Sequence, residues 1–402
     1  MNHFVNSAWL FAILLTAISC STPANKQNNF VEENIRFAVN QEKLQVDQIE
    51  KSGKILNPRT IAQGKVKYIQ MEDWTSGFYP GTMWLMFELT GDSSWKTYAR
   101  KYTEALDSVK YITWNHDVGF MIQCSFGNGL RLTNDTAYKN VMIKAAKSLS
   151  TRFRPVAGII QSWDADKGWQ SKRGWECPVI IDNMMNLELL FNATNFTGDS
   201  LYYKIAVSHA DKTMENHYRP DFSCYHVVDY SLSDGSVRNR HTAQGYSHES
   251  SWARGQAWGI YGYTVCYRET RNPKYLLQAQ KAFEFVIHHK NFPEDFVPFW
   301  DFDAPIIPNE PRDASAAAII SSALYELATF ENPEYYKGWA DKIMQSLARP
   351  AFRAKLGENG NFILMHSVGS LPHGAEIDVP LNYADYYFLE ALGRKSRLEL
   401  QN

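Results

Sequence analysis

The strongest constraint on the fold is a phrase that returns along the chain. An Asn or Gly is followed by Asp or Pro, then by Tyr or Trp, then by small residues at helical spacing. It opens GDSSWKTYARKYTEAL at Gly91, NDTAYKNVMIKAAKSL at Asn134, GDSLYYKIAVSHADKTM at Gly198, NPKYLLQAQKAFEFV at Asn272 and NPEYYKGWADKIMQSL at Asn332. Each copy begins with turn and cap chemistry and continues as an amphipathic helix. Between the copies lie more apolar stretches, GTMWLMFELT, VIIDNMMNLELLFNAT, QAWGIYGYTVCYRET, SAAAIISSALYELATF and NYADYYFLEALG. An outer amphipathic helix alternating with an inner apolar one is the signature of a helical repeat array. The spacing is irregular and long polar inserts separate the helices, which favours closure over an open solenoid. The expected fold is all-α, an (α/α)6 toroid or six-hairpin barrel, in a single domain over residues 33–402. RPDFSCYHVVDYS is the best strand candidate.

Residues 1–20 read as a lipoprotein-type signal peptide. The apolar run Ala8 to Ile18 is too short to span a bilayer and ends before Cys20, the expected lipid anchor. The segment before Cys20 has no Lys or Arg, which leaves a plain export signal open. Residues 21–32 are polar and read as a tether. The expected location is the bacterial periplasm or cell surface, with membrane contact only through the lipid. A formal net charge of -2 argues against nucleic acid as a partner. Cys124, Cys177, Cys224 and Cys266 show no metal-ligand spacing, so neither a metal nor another cofactor is expected.

Two carboxylates stand out. Apolar residues surround Asp182 on nearly every face of the stretch from Gly174 to Thr194, which predicts a buried helix. Burial raises a carboxyl pKa and suits Asp182 to general acid work, while a helix cap is the alternative. Asp117, in HDVGF, is either its catalytic partner or a turn residue before Gly119. Polar inserts dense in Trp, Asp, His and Arg would line one mouth of a toroid, as a saccharide site requires.

The segments DWTSGFYPGTMWLMFELTGD, HDVGFMIQCSFGNG, IIDNMMNLELL, TAQGYSHESSWARGQAWGIYGY, WDFDAP and PRDASAAA resemble the unsaturated glucuronyl hydrolases, glycoside hydrolase family 88. The resemblance implies removal of a 4,5-unsaturated uronic acid from the non-reducing end of lyase-generated oligosaccharides, glycosaminoglycan-type among them. It implies Asp182 as general acid and base and Asp117 as second carboxylate. It also places Trp74, His226, Gln244, Trp252, Arg254 and Trp258 around the sugar. A family pattern Ser-x-x-Ser-x-Lys resembles a sulfate-contacting loop; Ser367 and Ser370 match it, but Pro372 stands at the Lys position.

On this reading Arg254 pairs with the substrate carboxylate, a structural ion pair being the alternative, and Trp252 or Trp258 offers a stacking face. Asp117 holds Asp182 protonated by like-charge proximity. Three other readings compete: an inverting glycosidase on intact polysaccharide, a lyase using Tyr246 and His241, and a non-catalytic glycan-binding surface lipoprotein. The last has no need of a carboxylate buried among aliphatics.

Overall fold

The structure, a computed structural model, describes residues 24–400, with side chains from residue 30. The signal segment and Cys20 lie outside the described residues. Twelve helices, one of them broken, alternate between two concentric rings among the described residues. The outer ring holds α1 (Ala24–Lys51), α3 (Ser93–Glu104), α6 (Thr136–Ser150), α8 (Ser200–His217), α10 (Pro273–His288) and α12 (Pro333–Leu347). The inner ring holds α2 (Phe78–Thr90), the broken helix, α7 (Leu187–Thr197), α9 (Ala253–Thr270), α11 (Ala314–Leu327) and α13 (Asn382–Leu400). The broken helix consists of α4 (Val118–Ile122), a π turn (Gln123–Gly127) and α5 (Asn128–Thr133). Neighbouring inner helices pack in sequence order, and α13 returns against α2 to close the ring. This is the expected (α/α)6 toroid.

The recurring phrase has a clear physical meaning in the structure. The inner helices α2, α5, α7 and α9 stop at Gly91, Asn134, Gly198 and Arg271, each in the left-handed conformation. The next residue, Asp92, Asp135, Asp199 or Asn272, then caps the following outer helix through its side chain. One dipeptide ends one rod and starts the next, so these turns are short. The long connections all fall at the other end, before the inner helices, and there they build the site.

Two expectations are corrected. Residues 24–32, expected within a tether, belong to α1, and Val31 is buried where the helix packs on the body. The stretch around Asp182 is not one helix. It runs as strand β5 (Cys177–Ile180), a 3₁₀ turn (Ile181–Asn186) and then α7. A run that is apolar on all sides does not distinguish buried strand from buried helix, and Val179 and Ile180 pair in a sheet instead. That antiparallel sheet has the order β5–β6–β7, with β6 (Val227–Tyr230) inside the expected strand and β7 (Val237–His241) beside it. Three hairpins complete the mouth: β1 (Asn57–Ala62) with β2 (Lys65–Ile69), β3 (Phe153–Arg154) with β4 (Ile159–Ile160), and β8 (Ser367–Ser370) with β9 (Ala375–Val379). The four cysteines named above are buried free thiols.

The opposite end of the inner ring holds a cavity of ≈ 770 Å³. Its carboxylates are occupied: Glu88 pairs with Arg131 and Arg397, Glu188 with Arg268, and Glu326 with Arg268 and Arg394. These cations stand where inner-helix dipoles point their negative ends, and the network closes that end of the barrel.

Candidate active site

Strand pairing brings the first carboxylate to its neighbour. Ile180 lies opposite Val227, and the Ile181 amide donates to the His226 carbonyl, so Asp182 and His226 emerge side by side. His226 Nδ1 accepts from the Ala243 and Gln244 amides, which leaves the ring proton on Nε2. That nitrogen faces Asp182 Oδ2 at 3.6 Å. Burial keeps His226 neutral by holding its pKa well below the usual value.

Asp117 stands at the start of α4, against the 3₁₀ turn that carries Asp182. Its neighbour His116 accepts from Asn186 Nδ2 at 3.0 Å, with its Nε2 3.3 Å from Asp117 Oδ1. Asn186 Oδ1 receives the Phe120 amide, Asn186 Nδ2 also reaches Asn183 Oδ1, and Asn183 Nδ2 donates to the Ile160 carbonyl. This chain joins the HDVGF and IDN segments into one unit. It also requires a glycine, because a Cβ at position 119 would lie 2.3 Å from Asn186 Oδ1. On the other side α9 approaches the 3₁₀ turn just as closely, with Gly262 set against Met184.

Burial pushes the Asp182 carboxyl up to about 7, against the opposing charge of Arg254. Asp117 is pushed up to about 8, first by burial and then by the charge of Asp182. The expected like-charge effect is therefore present, but it acts on Asp117; Asp182 is raised by its own desolvation. Around the pair are buried polar atoms without hydrogen-bond partners: Asp182 Oδ2, His226 Nε2, His116 Nε2, and the indole nitrogens of Trp252 and Trp258. Such atoms are rare in folded proteins, and their clustering marks a place where a ligand or water completes the bonding.

The other expected residues divide into lining and frame. A cavity of ≈ 480 Å³ is lined by Trp74, Gln244, Arg254 and Ser370, with Tyr383 and the β8–β9 hairpin. Trp74 meets Phe120 edge-on at 5.6 Å, and Phe120 meets Trp258 at 5.1 Å, which links the cavity to the carboxylate pair. Gln244 donates to the Gly369 carbonyl. Trp252 and Trp258 are buried; Trp252 packs on His226 at 4.7 Å and under the Arg254 guanidinium at 4.4 Å. They support the site and do not offer the open stacking face expected of them. Arg254 is itself buried and bonded to Asp313 and to the Val368 and Gly369 carbonyls, the ion-paired alternative for this residue. Ser367 is fully buried and off the cavity lining, whereas Ser370 donates to or accepts from His373 at 2.7 Å. The Tyr246 and His241 pair is not assembled for lyase chemistry: Tyr246 is 48% exposed, and His241 Nδ1 is taken by Trp175.

Three groups escaped the sequence reading. Arg59 bridges Asp73 and Glu376, tying the β1–β2 hairpin to the β8–β9 hairpin. Asp301 gathers the Tyr246 amide and the Ser250 hydroxyl, fixing the loop that holds Gln244. Trp163, Trp169 and Trp175 form an aromatic cluster at the mouth, with Trp163 stacked on Trp175 at 5.9 Å and Trp169 in contact with His373 at 4.9 Å. The Trp-rich insert was the available signal, but its side chains meet only through the fold.

Residues 52–390 match the family model of Glycosyl Hydrolase Family 88. The chain belongs to that family. Within family 88 it is 49% identical over 343 residues to an unsaturated glucuronyl hydrolase of Formosa agariphila, covering 85% of this chain and 84% of the relative. Among solved structures, an unsaturated glucuronyl hydrolase specific for heparin is similar with a TM-score of 0.88 and 42% identity, over 93% of this chain and 98% of the other. A variant of the Streptococcus agalactiae unsaturated glucuronyl hydrolase, complexed with dGlcA-GalNAc6S, is similar with a TM-score of 0.76 and 29% identity, over 90% of each chain.

Proposed function

We propose that this family 88 enzyme is an unsaturated glucuronyl hydrolase, which removes the 4,5-unsaturated uronic acid from the non-reducing end of lyase-generated oligosaccharides, glycosaminoglycan-type among them. The observation that carries this reading is the pair of buried carboxyls, both raised toward neutrality, among polar atoms that lack partners. A glycosidase acting directly at the anomeric carbon needs an acid and a base. An enol ether needs first of all a proton donor in a dry pocket.

The substrate is a vinyl ether, with C4=C5 next to the ring oxygen. Protonated Asp182 gives its proton to C4, and positive charge develops at C5 and the ring oxygen. The Asp182 carboxylate so formed takes a proton from water as the water oxygen bonds to C5. The resulting hemiketal opens by breaking the bond between C5 and the ring oxygen, which leaves a ketone at C5 and a hemiacetal at C1. That hemiacetal expels the aglycone as an alcohol and becomes an aldehyde, with one water consumed overall. His226, neutral with its proton on Nε2, orients the Asp182 carboxyl and stabilises its charged form between the two proton transfers. Asp117 binds ring hydroxyls beside Asp182, whose proton is held by the carboxyl's own burial. Trp74 and Gln244 wall the sugar, and Trp252, Trp258 and Arg254 brace that wall. The Nε of Arg254 makes no hydrogen bond within the protein and is a donor left for a substrate carboxylate. The test is ultraviolet absorbance of an unsaturated disaccharide, which should fall with turnover. A rise would mean lyase chemistry.

Surface tethering through Cys20 is part of this proposal, supported by the apolar run from Ala8 to Ile18 that ends just before it. Full-length protein expressed in a bacterial host is expected to partition into detergent and to carry lipid on Cys20, and Cys20→Ala is expected to abolish both. Unmodified Cys20 in a soluble fraction would overturn this part.

A further inference from the structure

Each carboxyl of the site is faced by its own buried histidine: His226 stands beside Asp182, and His116 beside Asp117. The two rings are held in the same way. His226 Nδ1 accepts from two backbone amides, and His116 Nδ1 accepts from Asn186 Nδ2 at 3.0 Å. Asn186 cannot be turned round, because its Oδ1 receives the Phe120 amide and its Nδ2 also reaches Asn183 Oδ1. The proton of the His116 ring is therefore on Nε2. That nitrogen is buried, has no hydrogen-bond partner in the protein, and lies 3.3 Å from Asp117 Oδ1. Burial pushes the His116 pKa down to about 3, and the charge of Arg152 acts in the same direction, so the ring is neutral at neutral pH.

A nitrogen that carries a proton can only donate, so Asp117 Oδ1 has to act as the acceptor. Any proton on Asp117 then belongs to Oδ2, the oxygen left for a substrate hydroxyl. This allocation matters because Asp117 is under pressure to protonate. Burial raises it first and the charge of Asp182 next, with Asp73 adding to them; the Asn115 side chain and Arg152 act in the opposite sense. The backbone keeps the two side chains together. The Gly119 amide donates to the His116 carbonyl and the Met121 amide to the Asp117 carbonyl, while Arg152 ties the Thr113 carbonyl to those of Gln161 and Ser162. We propose that His116 is a positioning residue for the second carboxylate: its Nε2–H donates to Asp117 Oδ1, sets the plane of the carboxyl and stabilises its charged form, so that Oδ2 receives the sugar hydroxyls. Such bonds tighten when substrate arrives. The inference rests on the proposed reading of Asp117 as a carboxylate that binds the substrate's ring hydroxyls.

Two amide replacements separate the two edges of the ring. His116→Asn keeps an acceptor near the Nδ1 position for Asn186 and loses the Nε2 donor. His116→Gln places an amide nitrogen near Nε2 and gives up the bond with Asn186. The expected ranks are opposite: His116→Asn has the higher Tm of the two and the lower activity. Its kcat on an unsaturated disaccharide should fall at least ~10-fold below wild type, because a hydrogen bond to a charged group is worth about that much. A histidine that only holds Asn186 would make activity follow stability. That result, or near wild-type kcat in His116→Asn, would overturn the proposal. Carboxyl NMR of isotope-labelled enzyme, with the Asp117 signal assigned through Asp117→Asn, gives a readout that needs no turnover. The Asp117 titration midpoint should rise by about one pH unit in His116→Asn, the same tenfold read as a proton equilibrium. An unchanged midpoint overturns the inference even in an active enzyme. If the wild type hydrolyses no unsaturated disaccharide, the proposed function fails, and the carboxyl titration still decides the role of His116. Should neither variant fold, nitrogen NMR of the wild-type His116 ring decides it: a proton on Nε2 is expected, and a proton on Nδ1 overturns the proposal.

Discussion

Asp182→Asn is expected to lower kcat on an unsaturated disaccharide by at least ~10²- to 10⁴-fold, the usual worth of a positioned general acid. The amide fills the same space but has no acidic proton to give to C4. The variant should also be more stable than the parent above neutral pH. The folded-state pKa of Asp182 is raised to about 7. Between roughly pH 4, where an unfolded Asp has released its proton, and that value, the folded protein holds a proton that the unfolded chain lacks. Folding stability therefore declines as pH rises through this window, and a neutral amide removes the decline. The difference in Tm between variant and parent should grow from pH 5 to pH 8 as calorimetry follows both. Near-normal turnover would show that Asp182 is not the proton donor.

Asp117→Asn is expected to cost at least ~10²-fold in kcat with KM changed only a few-fold, by the general scale for groups that act in the transition state. Its backbone amide is fixed by Asn115 Oδ1, and the following helix by Asn186, so the local fold does not depend on the carboxylate. The loss would therefore reflect charge and proton placement, not a collapsed turn. Steady-state kinetics with far-ultraviolet circular dichroism as a folding check would decide it. An active Asp117→Asn enzyme would reduce this residue to a turn former before Gly119.

What the sequence made legible follows the range of the interactions. The outer helices could be read because their cap chemistry is local: Asp92, Asp135, Asp199 and Asn272 each bond the amide two residues on. The broken inner helix could not, since its π turn divides it into pieces too short for a helical period to register. Asp182 was legible as a carboxylate in apolar company, but its 3₁₀ turn was not, because the strand pairing that shapes it comes from β6 some fifty residues later. Arg254 is the sharper case. Its type and position suggested a substrate contact, yet its partner Asp313 lies 59 residues away and the carbonyls it bonds lie on β8. The bridge from Arg59 to Glu376 and the Trp163, Trp169 and Trp175 cluster likewise exist only once the ring has closed.

The central claim is that the enzyme protonates C4 and hydrates C5, and does not attack the anomeric carbon. Proton NMR of the reaction in deuterium oxide tests it most directly, by watching the C4 vinyl proton of the unsaturated uronide and the release of the second sugar together. The account predicts that the vinyl signal disappears in step with release of the second sugar, with one deuterium entering at C4 of the opened product. A vinyl signal that persists in the first turnovers while the second sugar is freed would contradict it and place the attack at the anomeric carbon.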